Sequence, residues 1–163
     1  MNCFDDVRSV FRRNPNAVAC VYGSEKYPSL SGTVMFYQLC GKTAVCAEIT
    51  GLPTDTSDCA GPIFAFHIHD GGECTGNASD YFADSGMHYN PHNCPHPYHA
   101  GDLPPLFAVG DTAFSLFTTD RFTVSEILGK AVIIHDSPDD FTSQPSGGAG
   151  EKIACGIIRP VCR

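Results

Sequence analysis

All seven histidines of the chain fall between positions 67 and 135: His67, His69, His88, His92, His96, His99 and His135. A single imidazole is ordinarily a core or surface residue, but imidazoles crowded in this way are the raw material of a metal site. His67 and His69 stand at i and i+2 in FAFHIHD (64–70), where Phe64, Phe66 and Ile68 alternate with Ala65, His67 and His69. On an extended strand that spacing turns both imidazoles to one face. His135 closes a second apolar run, AVIIH. Three strand-borne imidazoles joined by His88 from the intervening segment make a tetragonal nitrogen site, the ligand type and geometry that suit Cu(II). The segment HYNPHNCPHPYHAGDLP then supplies further imidazoles and one carboxylate, with His99 and Asp102 three residues apart. Three histidines and one aspartate close a tetrahedral zinc site of the structural kind. His88, using both ring nitrogens, can serve both ions at once.

These side chains need a scaffold, and the pattern around them is β. Candidate strands are AVACVY (17–22), SGTVMFYQL (31–39), KTAVCAEITGL (42–52), FAFHIHD (64–70), TAFSLFT (112–118), KAVIIHD (130–136) and KIACGII (152–158). They are rich in β-branched and aromatic residues and bounded by turn residues. TVSEIL (123–128) reads as either a strand or a helical turn. Residues 1–16 read as a polar lead-in with one helical turn around Val7–Phe11, which leaves 17–163 as a single domain. Without repeats or heptads, many short strands predict an antiparallel sandwich or barrel. The segment from Gly71 to about Pro105 has no periodicity and is far longer than an ordinary connection, the mark of a functional loop. It carries His88, His92, His96 and His99.

The blocks HIHDGGEC, GMHYNP, HAGDLP, VIIHDSPDD and GGAGEKIACGII, in this order over roughly residues 17–158, resemble the signature blocks of the copper/zinc superoxide dismutase family. The resemblance implies an all-β fold, an eight-stranded antiparallel Greek-key β-barrel with long metal-binding loops. It implies copper held by His67, His69, His88 and His135, with His88 bridging to zinc and acting in proton transfer. It implies zinc held by His88, His99 and Asp102, and a disulfide between Cys74 and Cys155. Asp139 matches a carboxylate that links a copper ligand to a zinc ligand and so fixes ring orientation. The implied reaction is dismutation of superoxide to dioxygen and hydrogen peroxide.

The sequence departs from the family pattern in two places. For the remaining zinc ligand the spacing favours His96, with His92 and Cys94 as alternatives. Where the family has an arginine three residues before the last disulfide cysteine, this chain has Lys152, which keeps the charge but loses the planar fork of donors. With Asp136, Asp139 and Asp140 nearby, weaker guidance of the anion toward copper is expected.

Composition narrows the partners. The 163-residue chain carries a formal net charge of −8, which favours neither nucleic acid nor an anionic membrane face. It repels an anionic substrate at long range, so the site must make its own positive field. No stretch reaches membrane-spanning length. Nine cysteines, an odd number, lack paired CxxC knuckles, so a zinc ribbon is disfavoured. At least one disulfide suits an oxidising compartment, yet MNCFDDVRSVFRRNPN does not read as a signal peptide. The expectation is a cytoplasmic protein, with a periplasmic or secreted one that has lost its leader as the alternative. Cys3, Cys20, Cys40, Cys46, Cys59, Cys94 and Cys162 have no assigned role, although Cys3 and Cys162 could pair. A homodimer is the assembly to test. Two competing functions stay in view: a non-catalytic copper-binding or copper-delivery domain of the same fold, and an interaction sandwich holding zinc alone.

Overall fold

The computed structural model describes residues 10–54 and 62–161. Within them the chain forms β1 (Ala17–Gly23), β2 (Ser31–Leu39), β3 (Lys42–Thr50), β4 (Ile63–Phe64), β5 (Phe66–His69), β6 (Leu106–Val109), β7 (Thr112–Thr119), β8 (Ala131–His135), β9 (Lys152–Ile157) and β10 (Arg159–Pro160). All pairings are antiparallel, in the order β4-β6-β7-β3-β2-β1-β9-β8-β5, with the short β10 added beside β1. The two ends of that order, β4 and β5, are separated by Ala65 alone. One interrupted strand therefore pairs with β6 at its start and β8 at its end, nearly closing the sheet into a barrel. Counted as one strand, they give eight strands plus a two-residue extension, in Greek-key order. A closed sheet leaves no long edge open to other chains.

The barrel fills by alternation. Ala17, Ala19 and Val21 of β1, Val34 and Phe36 of β2, and Val45, Ala47 and Ile49 of β3 point inward with Phe66, Ile68, Val132, Ile134 and Ile153. Outside the barrel wall, Tyr37, Leu39, Ala44 and Cys46 bury Val10 from a 3₁₀ turn at Val10–Arg12. The lead-in therefore docks apolar surface as well as carrying polar residues. The part of the expected turn at 7–9 lies outside the described residues, as do Cys3, Cys59 and Cys162.

One expectation changes, one strand is added and one open reading is resolved. The fourth strand breaks at Ala65, whose N–H donates to Ser137 O and whose carbonyl accepts from His135 N–H. LFAV (106–109), flanked by Pro105 and Gly110, is a strand that sequence reading passed over; its pairing with β4 is remote in sequence, and four residues give too short a pattern. TVSEIL resolves as a helical turn, α1 (Val124–Ile127), because the Glu126 carboxylate turns back to accept the Thr123 N–H at 2.7 Å.

The long segment 71–105 lies on the outer face of β5 and β8. This explains why all four residues of β5 and all five of β8 are buried: one face meets the barrel core and the other meets the loop. Phe82 packs there against Ala131, Ile133 and Cys155. The Cys74–Cys155 disulfide ties the loop to β9. Backbone bonds lash the loop to β5: Ile68 N–H to Gly101 O at 2.9 Å, Tyr89 N–H to Ile68 O at 2.8 Å, and Gly101 N–H to Tyr89 O at 2.8 Å. A Cβ on Gly101 would fall 2.2 Å from Ile68 O, so the approach requires glycine.

Candidate metal centre

The lashing of the loop to β5 decides what meets what. It sets His88 opposite His69, and Asp102 opposite His67, as isolated bridges beside β5. On β8, His135 lies on the same outward face as Ile133, whose partner across the ladder is His67. The ring of His67 is consequently 3.9 Å from that of His88 and 5.0 Å from that of His135, and His69 is 5.0 Å from His88 and 5.5 Å from His135. One ligand nitrogen from each of these four buried residues lies within 4.8 Å of all the others.

Each ring has one nitrogen engaged and one free. His67 Nε2 bonds Asp139 Oδ2 at 2.8 Å, His69 Nδ1 bonds Gly86 O at 2.9 Å, His88 Nδ1 bonds Asp102 Oδ1 at 2.7 Å, and His135 Nδ1 bonds Gly150 O at 3.3 Å. The opposite nitrogens, His67 Nδ1, His69 Nε2, His88 Nε2 and His135 Nε2, are buried with no hydrogen-bond partner among the described residues. An orphaned buried polar atom costs about 1–3 kcal/mol, and four of them aimed at one point are explained by an ion. Carbonyl or carboxylate acceptors on the far nitrogens fix the tautomer that turns a lone pair inward. Burial lowers the pKa of His67, lowers that of His69 well below the usual imidazole value, and pushes His135 down to about 3. These three rings thus favour the neutral form that a ligand must have.

The second group is His88, His96, His99 and Asp102, again buried and with ligand atoms within 4.8 Å of one another. Tetrahedral ligands about 2.0–2.1 Å from zinc stand about 3.4 Å apart. Here His99 Nδ1 lies 3.4 Å from His88 Nδ1 and 3.3 Å from Asp102 Oδ1. His96 Nδ1 lies 3.1 Å from Asp102 Oδ2 without being aligned for a hydrogen bond. Burial disfavours the charge on Asp102, but the bond from His88 and the neighbouring imidazoles outweigh it and hold the carboxyl below its ordinary value. Of the three alternatives for the last position in this group, His96 is the one present. His92 is exposed, and Cys94 is half-buried with its backbone N–H bound to Asn90 Oδ1.

Asp139 joins the two groups. Its Oδ2 accepts from His67 Nε2 at 2.8 Å, and its Oδ1 accepts from His96 Nε2 at 2.9 Å and from the Phe141 N–H at 2.7 Å. Burial opposes its ionisation, yet these bonds prevail and hold its carboxyl far below the usual range. Other contributors carry no sequence signal. A Cβ on Gly147 would fall 2.0 Å from Asp139 Oδ1, so glycine is needed beside the carboxylate. Gln144 grips the backbone of His96 from both sides, accepting its N–H at 3.0 Å and donating to its carbonyl at 2.7 Å. Arg121 Nη1 lies 3.1–3.3 Å from the carbonyls of Pro97, His99 and Asp102. No motif reading finds such non-local partners.

A cavity of about 590 Å³ opens over the first group, lined by His69, His88 and His135 together with Lys152. Lys152 Nζ donates to Asp80 Oδ2 at 3.0 Å, Phe82 O at 3.1 Å and Gly86 O at 3.4 Å. Gly86 O is also the acceptor that orients His69.

Comparison with known proteins adds an independent line. Residues 30–158 match the family described as Copper/zinc superoxide dismutase (SODC). The chain is 31% identical to "Superoxide dismutase [Cu-Zn]" of Ramazzottius varieornatus over 94% of its own length and 84% of that protein. It is 32% identical to "Superoxide dismutase [Cu-Zn] 3" of Arabidopsis thaliana over 90% and 92%, respectively. It is 36% identical to "Superoxide dismutase [Cu-Zn] 2" of Aquifex aeolicus (strain VF5) over 58% and 63%. With a nearly closed Greek-key barrel, two histidine groups sharing one imidazole and the Cys74–Cys155 bond all in place, the chain belongs to the copper/zinc superoxide dismutase family.

Proposed function

We propose that the protein dismutes superoxide, with copper held by His67, His69, His88 and His135 and zinc held by His88, His96, His99 and Asp102. The observation that carries this reading is that the four partnerless buried nitrogens converge beside a cavity that also receives an ammonium group. Copper, when bound, supplies the one-electron cycling that lets one superoxide be oxidised to dioxygen and a second be reduced, with two protons, to hydrogen peroxide.

The chain's own residues do the rest. His88 presents Nε2 to the cavity and Nδ1 to the second group. An imidazole held in that way can take a proton at Nε2 and surrender it to a reduced oxygen product. Gly86 O and Gly150 O keep the His69 and His135 lone pairs turned inward. Asp139 keeps the His67 proton on Nε2, away from the cavity. Lys152 draws a small anion toward the same floor, and its three acceptors hold its position. Cys74–Cys155 secures the loop that carries His88 and the Lys152 acceptors.

The test is reconstitution with copper and zinc, metal analysis and a direct superoxide-decay assay. Turnover that depends on copper and disappears in His135→Ala is expected. Full occupancy of both metals without turnover refutes the activity. The burial of the ligand residues, His67, His69 and His135 on strands and His88 on the loop that covers them, does not favour the copper-delivery alternative.

A further inference from the structure

The cavity over the four-histidine group contains two cations, Lys26 and Lys152, and two carboxylates, Asp80 and Glu151, among the described residues that line it. Each cation is paired with one carboxylate. Lys152 Nζ is 3.0 Å from Asp80 Oδ2, and Lys26 Nζ is 2.9 Å from Glu151 Oε2. The pairs differ in exposure: the Lys152 side chain is 14% exposed and that of Asp80 37%, against 52% and 65% for Lys26 and Glu151. Asp80 is also fixed locally, its Oδ1 accepting the Phe82 N–H at 3.0 Å while Oδ2 faces Lys152. A carboxylate anchored in this way does not swing aside when an anion arrives.

We propose that Asp80 and Glu151 are negative determinants of anion entry. They balance the two cations of the cavity, so that the mouth exerts little net attraction, and Asp80 is the stronger of the two because it sits on the better buried cation. The proposal rests on the superoxide reading above and names residues that tune it. In a chain of net charge −8, the pull of Lys152 on an anion is then largely offset by Asp80, and the balanced mouth does little against the repulsion of the whole molecule. Neither carboxylate touches the reacting atoms; both act through the lysines.

The test uses the copper- and zinc-loaded protein and azide as the probe anion, with binding read from the copper absorption spectrum. Asp80→Asn keeps an oxygen for the Phe82 N–H and removes the charge. It is expected to tighten azide binding by about three-fold, the size of one unit charge acting through solvent at a separation of several ångströms. Glu151→Gln is expected to tighten it by roughly 1.5-fold, less because its pair is more exposed. In both variants the superoxide rate should fall more steeply with added salt than in the parent, since a net positive mouth is what salt screens. Lys152→Met should weaken azide binding. The proposal is overturned if Asp80→Asn leaves azide affinity and the salt slope unchanged at parental copper content and melting temperature. It is equally overturned if Lys152→Met leaves azide affinity intact. Should Asp80→Asn fail to hold copper, Glu151→Gln decides on the same two readouts. A parent that binds azide but does not turn over superoxide would remove the functional reading while leaving the azide comparison valid.

Discussion

Replacing Asp139 by asparagine keeps the shape of the side chain and changes one acceptor into a donor. The three bonds to Asp139 are unequal in their demands. Oδ1 receives two donors, from His96 at 2.9 Å and Phe141 at 2.7 Å, whereas Oδ2 receives one, from His67 at 2.8 Å. The single oxygen of asparagine satisfies most donors in the Oδ1 place, which leaves its NH₂ against His67 Nε2. Two donors cannot face one another, so His67 must move its proton to Nδ1, the nitrogen aimed into the first metal group. An incoming copper ion then has to displace that proton, and it loses the added basicity that a carboxylate lends the ring. Loss of an outer partner of a metal ligand typically costs 10–100-fold in metal affinity, which is about 1.4–2.7 kcal/mol. Copper affinity should fall by that factor, while zinc affinity, with the His96 acceptor retained, should fall by less than about 5-fold. Competition titrations of the metal-free variant against chelators of graded strength measure both, and the copper absorption spectrum reports the change in ligand field. A variant that loses zinc and keeps copper would show that Asp139 acts mainly through His96, contrary to this reasoning.

Three further outcomes are expected. Joint replacement of Cys74 and Cys155 by serine opens a loop of sequence separation 81, for which chain entropy predicts a loss of about 4.5 kcal/mol; urea unfolding of the metal-free protein should show a loss of about 2–5 kcal/mol, and a loss below about 1 kcal/mol contradicts it. In the metal-free protein, burial holds the His67, His69 and His135 pKa values below the unfolded value of 6.5, so the unfolded state binds more protons. Stability should be full above about pH 6.5 and erode as pH falls toward 3, each histidine contributing at most about 1.4 kcal/mol per pH unit; a denaturation midpoint that does not move between about pH 7 and 5 rules this out. Gly101→Ala places a methyl 2.2 Å from Ile68 O. It should lower stability by about 1–3 kcal/mol and release zinc before it disturbs the barrel, seen as zinc loss with an unchanged far-ultraviolet circular dichroism spectrum.

Local patterns sufficed for much of this protein. The alternation in FAFHIHD put His67 and His69 on one face, and the strands at 31–39 and 152–157 follow from β-branched and aromatic runs between turn residues. The histidine census alone pointed to metal, and motif order pointed to the pairing of Cys74 with Cys155. The lead-in, by contrast, read as polar, because nothing local reveals that Val10 finds an apolar ledge at Tyr37, Leu39, Ala44 and Cys46.

The sequence by itself thus determined which side chains were available and which face of a strand they occupy, since a two-residue period is a property of the backbone. Only the tertiary structure decided how they meet. Spacing favoured His96 over His92 and Cys94, and the fold brings His96 beside His88, His99 and Asp102, with Asp139 on its ring and Gln144 on its backbone, contacts made 43 and 48 residues away in the chain. The same holds for Lys152, whose charge was plain from the sequence but whose pairing with Asp80, 72 residues distant, was not. Loop closure over such separations is settled by packing, by the disulfide and by the Gly101 contact with β5. No local propensity encodes it.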